Sequence, residues 1–238
     1  MYANAFRSLG TAARRAALPT AAAGAALLAV QPARCDGWKF WEKPAEAEVQ
    51  RATRTLGDVL PAKEPRTGVL FPATSADASL KLAGCGVRLK FGLVPVYAVG
   101  LYAPPSAKFE GDALSTLRSA RSAGATIEIR LTMARDVGKA TFVDALAEQI
   151  APRCPTAAQS DAFSAAILGG LAEPVANKST MILRLQKTGV VDVVAESGAV
   201  VASVPAPEVA DALLDVYVGP AAVSPAARDA IAAGLAAF

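Results

Sequence analysis

The chain has 238 residues, 53% of them hydrophobic and 19% charged, with a formal net charge of +3. That charge is concentrated at one end. Arg7, Arg14, Arg15 and Arg34 all precede the first acid, Asp36, which leaves 20 cations against 21 acids in the remainder and no basic stripe for nucleic acid. Histidine is absent, which excludes a Ser-His-Asp triad, a Cys-His pair and every zinc or haem site built on imidazole; the three cysteines, Cys35, Cys85 and Cys154, are too far apart for a CxxC site and too few for a disulfide framework.

Residues 1–35 are rich in Ala, Arg and Ser without an acid, and Phe6, Leu9 and Ala13 share a helical face opposite arginines, which is the chemistry of a targeting presequence. The uncharged run 16–33 falls short of the ~20 apolar residues of a spanning helix and contains Pro19, so it reads as a weak membrane anchor or as part of one cleaved presequence. A basic helix followed by an apolar run points to mitochondria, at the inner membrane or intermembrane space, with the plastid as the alternative. Residues 36–66, charged and punctuated by Pro44, Pro61 and Pro65, read as a linker with one short helix at 45–56. Within it Trp38, Phe40 and Trp41 alternate with Lys39 and Lys43, a composition that suits either a membrane interface or packing on the domain.

From residue 67 onward the pattern is that of a folded domain. Short strands are predicted at 69–71, 80–82, 87–91 and 94–102, and a further one at 127–133, where Ile127, Ile129, Leu131 and Met133 alternate with polar residues. Phe142, Leu146 and Ile150 then recur every four residues from Lys139 to Pro152, an amphipathic helix, and a second helix runs through Phe163 and Ile167 to Gly169-Gly170. Strands return at 180–186, 190–195 and 200–204, with Thr188-Gly189 and Ser197-Gly198 as hairpin turns. The chain closes with a helix at 207–218 stopped by Gly219, and another opened by Ser224 as N-cap with Pro225 behind it, a role that accounts for the Ser-Pro pair without phosphorylation. Strands and helices in blocks, without strict alternation, predict an α+β fold: an antiparallel sheet with helices layered on one face.

Arg88 is the residue this pattern does not explain. It lies in an otherwise apolar strand, and a buried guanidinium needs an anion, so it pairs either with an internal carboxylate such as Glu128 or with a ligand's negative charge. Cys85 close by is either a thiol with a lowered pKa or a small buried side chain. Gly84-Cys85-Gly86 lacks the third glycine and the following helix of a dinucleotide loop and reads as a tight turn.

The run GCGVR (84–88) followed by VYAVGLY (96–102) resembles the signature of the chalcone isomerase family and its non-catalytic relatives, and ALLDVYVGPAAVSPAARDAI (212–231) resembles the same family's C-terminal helices. The resemblance covers 67–238 and implies an open-faced sandwich with a ligand cleft between sheet and helices. It marks Arg88, Tyr97, Thr141 and Val216 as ligand-site positions. Tyr97 stands where the isomerases have a threonine, as in the fatty-acid-binding branch; Thr141 replaces the catalytic tyrosine, Asp144 a lysine, Glu148 an asparagine and Val216 a substrate-binding threonine. Two of these changes are acidic and repel a phenolate, and no tyrosine between 103 and 216 takes over the lost role. The resemblance therefore implies a non-catalytic protein holding a fatty acid or similar amphipathic anion through Arg88 and Tyr97, with its tail along Val96, Val99, Leu101, Phe142 and Leu146. It implies no cofactor and no metal. The isomerase reaction, an intramolecular lyase, is one alternative, and a structural protein associated with the inner membrane is another. Tyr102 and Tyr217 are read as packing residues.

Overall fold

In the computed structural model, which describes residues 60–238, two short strands, β1 (Ala62–Lys63) and β2 (Leu70–Phe71), form a ladder of their own. Six longer strands follow: β3 (Lys81–Lys90), β4 (Val94–Ala103), β5 (Ile127–Met133), β6 (Thr180–Leu185), β7 (Val190–Ala195) and β8 (Val200–Pro205). They pair antiparallel in strict chain order. Among the described residues the helices are α1 (Ala113–Ser122), α2 (Lys139–Ile150), α3 (Ala157–Gly170), α4 (Pro207–Val218) and α5 (Pro225–Leu235). Their apolar sides meet one face of the sheet in a single core. This is the expected α+β open-faced sandwich. The presequence, the helix at 45–56 and the aromatic cluster around Trp38 lie outside the described residues, whereas the last residues of the expected linker join the fold, because Ala62 and Lys63 pair with Phe71 and Leu70.

Alternation on β4 sorts the two faces of the sheet. Tyr97, Val99 and Leu101 point into the helix layer, while Ala98 and Tyr102 point the other way and pack with Phe71, Leu80 and Leu82. On that second face the buried carboxylate of Glu128 accepts from Arg184 at 2.9 Å and from Arg130 at 3.4 Å, and the Arg130 guanidinium lies 4.3 Å from the Tyr102 ring centroid. Glu128 is thereby committed on the side of the sheet away from the helices.

Residues 80–91, expected as two strands around a Gly-Cys-Gly turn, hold instead the single ten-residue strand Lys81–Lys90, with register shifts between Leu82 and Gly84 and between Arg88 and Leu89. The glycines provide space, not a turn. A Cβ at Gly84 would lie 2.5 Å from the Ile231 nitrogen, one at Gly86 2.6 Å from the Ala227 Cβ, and one at Gly234 only 1.5 Å from the Ala83 carbonyl oxygen. Three absent side chains let α5 rest on the backbone of β3. The actual turn is Phe91-Gly92, both residues at positive φ (53° and 72°), with the Leu93 N–H donating to the Lys90 carbonyl at 3.2 Å.

The helix ends follow local chemistry. Gly219 terminates α4, and the Ser224 hydroxyl accepts the Ala227 N–H at 3.3 Å. Replacing this buried Ser224 with Ala should cost about 1 kcal/mol, read as a fall of about 2–4 °C in Tm for a domain of this size. The α1 helix has no counterpart in the apolar pattern, since it buries only Ala113, Thr116 and Leu117; its available signal is Asp112, whose carboxylate accepts the Ser115 N–H at 2.9 Å as an N-cap.

Candidate functional site

The β3–β4 register sets Arg88 directly opposite Tyr97, and both side chains face the helix layer. The Arg88 Nη1 donates to the Tyr97 hydroxyl at 3.4 Å, and the guanidinium carbon stands 5.7 Å from that ring's centroid. Behind Tyr97, the Tyr217 hydroxyl from α4 lies 3.1 Å from the Tyr97 hydroxyl. Both tyrosines are essentially without solvent exposure, at 1% and 0%, while Arg88 is half-buried. The Phe142 ring of α2 meets Tyr97 edge-on, with centroids 6.2 Å apart and planes at 75°. The end of α4 that carries Tyr217 is held by Arg153, whose Nε donates to Asp215 at 2.7 Å and whose Nη2 donates to the Ala221 carbonyl at 2.9 Å.

The cluster has more donors than the protein uses. Among the described residues no carboxylate pairs with Arg88, and the internal partner considered for it, Glu128, is on the opposite face of the sheet. A guanidinium offers five N–H donors, and the Tyr97 contact occupies one. The nitrogens left over are not sealed from solvent. In the Tyr97–Tyr217 pair one hydroxyl proton is shared and the other remains to be given. An acceptor-only group such as a carboxylate is the chemical complement of this arrangement.

Burial pulls the Arg88 pKa down, but Tyr97, Tyr217 and Glu148 on the exposed side of α2 more than offset it and leave the group above its ordinary arginine value. Burial pushes the Tyr217 pKa well above the usual tyrosine range, reinforced by Tyr97 and opposed by Arg88. Tyr102 is likewise raised by burial, to about 12. Both phenols therefore keep their protons in the folded chain at pH values where an unfolded tyrosine, near pH 10, has begun to lose them. The folded state then binds more protons than the unfolded one. Stability is expected to hold below about pH 10 and to fall as pH rises toward 12, checked by thermal melts across that range and by the 295 nm phenolate absorbance, in which Tyr102 and Tyr217 should lag.

Cys85 is on the face of β3 away from Arg88, half-buried, and partial burial, with Glu64 nearby, raises its pKa to about 11, which disfavours the reactive thiolate. Thr141 is exposed in the first turn of α2 with no hydrogen bond to the cluster, and Val216 is fully buried in the core. Tyr102, read as a packing residue, donates to the Pro72 carbonyl at 3.0 Å and does pack. Tyr217, read the same way, instead completes the polar cluster. The residues expected to line a tail, Val99, Leu101 and Leu146, are filled core, whereas an apolar cavity of about 220 Å³ lies beside them, lined by Leu131, Met133, Phe142, Val175, Met181 and Val193. It shares Phe142 with the Tyr97 edge contact, and Met133 pairs with Tyr97 in the β4–β5 ladder.

A meander sheet roofed by helices on one face, with an arginine-tyrosine cluster that touches Phe142 and a partly open apolar cavity that Phe142 also lines, defines an open-faced sandwich with a site between sheet and helices. The chain belongs to the chalcone isomerase-like family, whose model matches residues 67–231. Among 38 matching solved chains, the crystal structure of a fatty-acid-binding protein of Arabidopsis thaliana is similar at 25% identity and a TM-score of 0.61, over 74% of this chain and 98% of that one. No curated protein matches the chain.

Proposed function

We propose that this protein is a non-catalytic member of its family that holds a fatty acid or similar amphipathic anion, with the carboxylate at Arg88 and Tyr97 and the tail in the adjoining cavity. The observation that carries this reading is the half-buried Arg88 guanidinium, which has a tyrosine for support and no carboxylate partner among the described residues. Tyr217 adds the second hydroxyl. The cavity, at about 220 Å³, is below the ~300–1,000 Å³ of pockets for drug-sized molecules, and its mainly apolar lining suits an alkyl tail. The solved relative described as fatty-acid-binding supports the same class of ligand.

Native mass spectrometry and lipid extraction on the purified full chain test it. Co-purifying or readily taken-up fatty acid is the expected result, and a wild type that takes up neither fatty acid nor chalcone overturns it in favour of a structural role. One observation favours a second reading: Tyr217 brings a second phenolic hydroxyl to 3.1 Å from that of Tyr97, and an isomerase without its helix tyrosine requires another hydroxyl. An absorbance assay with a hydroxychalcone separates the two, and we expect no ring closure above the uncatalysed rate. The composition of residues 1–35 supports delivery to mitochondria, with the plastid as the alternative; a fluorescent protein fused behind residues 1–66 would reveal a different destination.

A further inference from the structure

Phe91 and Leu93 stand at the tip of the β3–β4 hairpin with 85% and 79% of their surface exposed, and Val94 continues the patch. Phe91 adopts a left-handed backbone (φ 53°) that Asn or Gly occupies without strain. Neither core packing nor turn geometry asks for these side chains. Beside them, at the same end of the sheet, a recess of about 460 Å³ is walled by Val94, Pro95, Arg66, Arg135 and Lys178. These three cations are exposed, Lys178 also at positive φ (67°), and none forms an ion pair among the described residues. Lys90, also exposed, lies 5.3 Å from the Phe91 ring centroid. Among the acids nearby, Asp136 accepts the Asn177 N–H at 2.7 Å, and Glu64, itself buried, accepts from Thr67; neither pairs with these cations, and Glu148 on α2 acts on Arg88.

We propose that this end of the domain docks on an anionic lipid bilayer, with Phe91 and Leu93 entering the interface and Lys90, Arg66, Arg135 and Lys178 meeting lipid phosphates. Side chains this exposed sit on a projection and not in a groove, and an apolar projection flanked by unpaired cations complements a surface that is charged outside and apolar a few ångströms deeper. Arg88 is three residues from Phe91, about 10 Å along a strand at roughly 3.3 Å per residue. A docked domain thus holds its arginine-tyrosine cluster just above the headgroups. The inference does not rest on the fatty-acid reading, because vesicle binding and ligand retention are measured separately.

The test compares the full chain with two variants, Phe91→Ser/Leu93→Ser and Arg66→Gln/Arg135→Gln/Lys178→Gln, by co-sedimentation with vesicles of phosphatidylcholine alone or mixed with phosphatidylglycerol. All three chains carry the same N-terminal segment, so differences between them report on the hairpin end. The wild type should prefer the mixed vesicles, and each variant should lose at least about tenfold in partitioning, with unchanged Tm and unchanged fatty-acid retention in solution. Variants that partition like the wild type, or a wild type indifferent to phosphatidylglycerol, overturn the proposal. So does a change of oligomeric state in the variants without vesicles, which would make the patch a contact between copies of this chain.

Discussion

Arg88→Ala is expected to weaken fatty-acid retention by about 10²- to 10³-fold, at roughly tenfold per 1.4 kcal/mol, while leaving Tm within about 2 °C of the wild type. The first part follows from the cost of stranding a desolvated carboxylate, about 3–5 kcal/mol when one member of a buried charge pair is removed. The second follows from what Arg88 does in the protein alone: its hydrogen bond to Tyr97 is long, at 3.4 Å, and it has no ion pair among the described residues. Were Arg88 a structural ion, its loss would lower Tm and leave ligand untouched. Arg88→Lys, with the charge but without the planar fork, should fall between the two. Titration with a fluorescent fatty acid, paired with thermal melts of the same samples, measures both quantities.

Gly234→Ala should destabilise the domain by about 2 kcal/mol, against the intrinsic preference of helices for alanine. That preference is worth up to about 1 kcal/mol over glycine. The new Cβ, however, would be 1.5 Å from the Ala83 carbonyl oxygen, and overpacking against backbone costs about 1–3 kcal/mol, occasionally more. The clash wins, and Tm should drop by roughly 4–8 °C at about 2–4 °C per kcal/mol. Gly169→Ala provides the contrast: it is also helical, nothing lies within 4 Å of its Cβ position, and the change should be neutral or stabilising by up to about 1 kcal/mol. Equal shifts in the two variants would mean that helix propensity, and not the contact with β3, decides.

What could be read from the sequence was whatever is encoded over a few residues. The alternation of Ile127 to Met133, the four-residue recurrence of Phe142, Leu146 and Ile150, and the hairpin glycines 189 and 198, both at positive φ, all report neighbours in the chain. Arg88 stood out for the same reason, as a charge in an apolar strand. What escaped depends on residues far apart. The glycines of β3 make sense only against Ala227 and Ile231 of α5, and so resembled a turn. Tyr217 enters the cluster through a hydroxyl contact with a residue 120 positions away. The cavity fell beside the expected path because Val99, Leu101 and Leu146 are already filled by packing, a three-dimensional outcome that spacing along one strand or one helix does not specify.

The contact between β3 and α5 also dictates when the domain can finish folding. β3 is the first long strand in chain order and an edge of the sheet, yet its roof is α5, the last of the described helices. The core therefore closes through its most distant pairing, after the longest loop has given up its freedom. A chain halted before Pro225, on the ribosome or while being threaded through a pore, presents the glycine-lined face of β3 bare, a surface that chaperones hold and that aggregates without them. Proteolytic loss of the final helix would accordingly commit the whole domain to destruction, leaving no trimmed but working remainder.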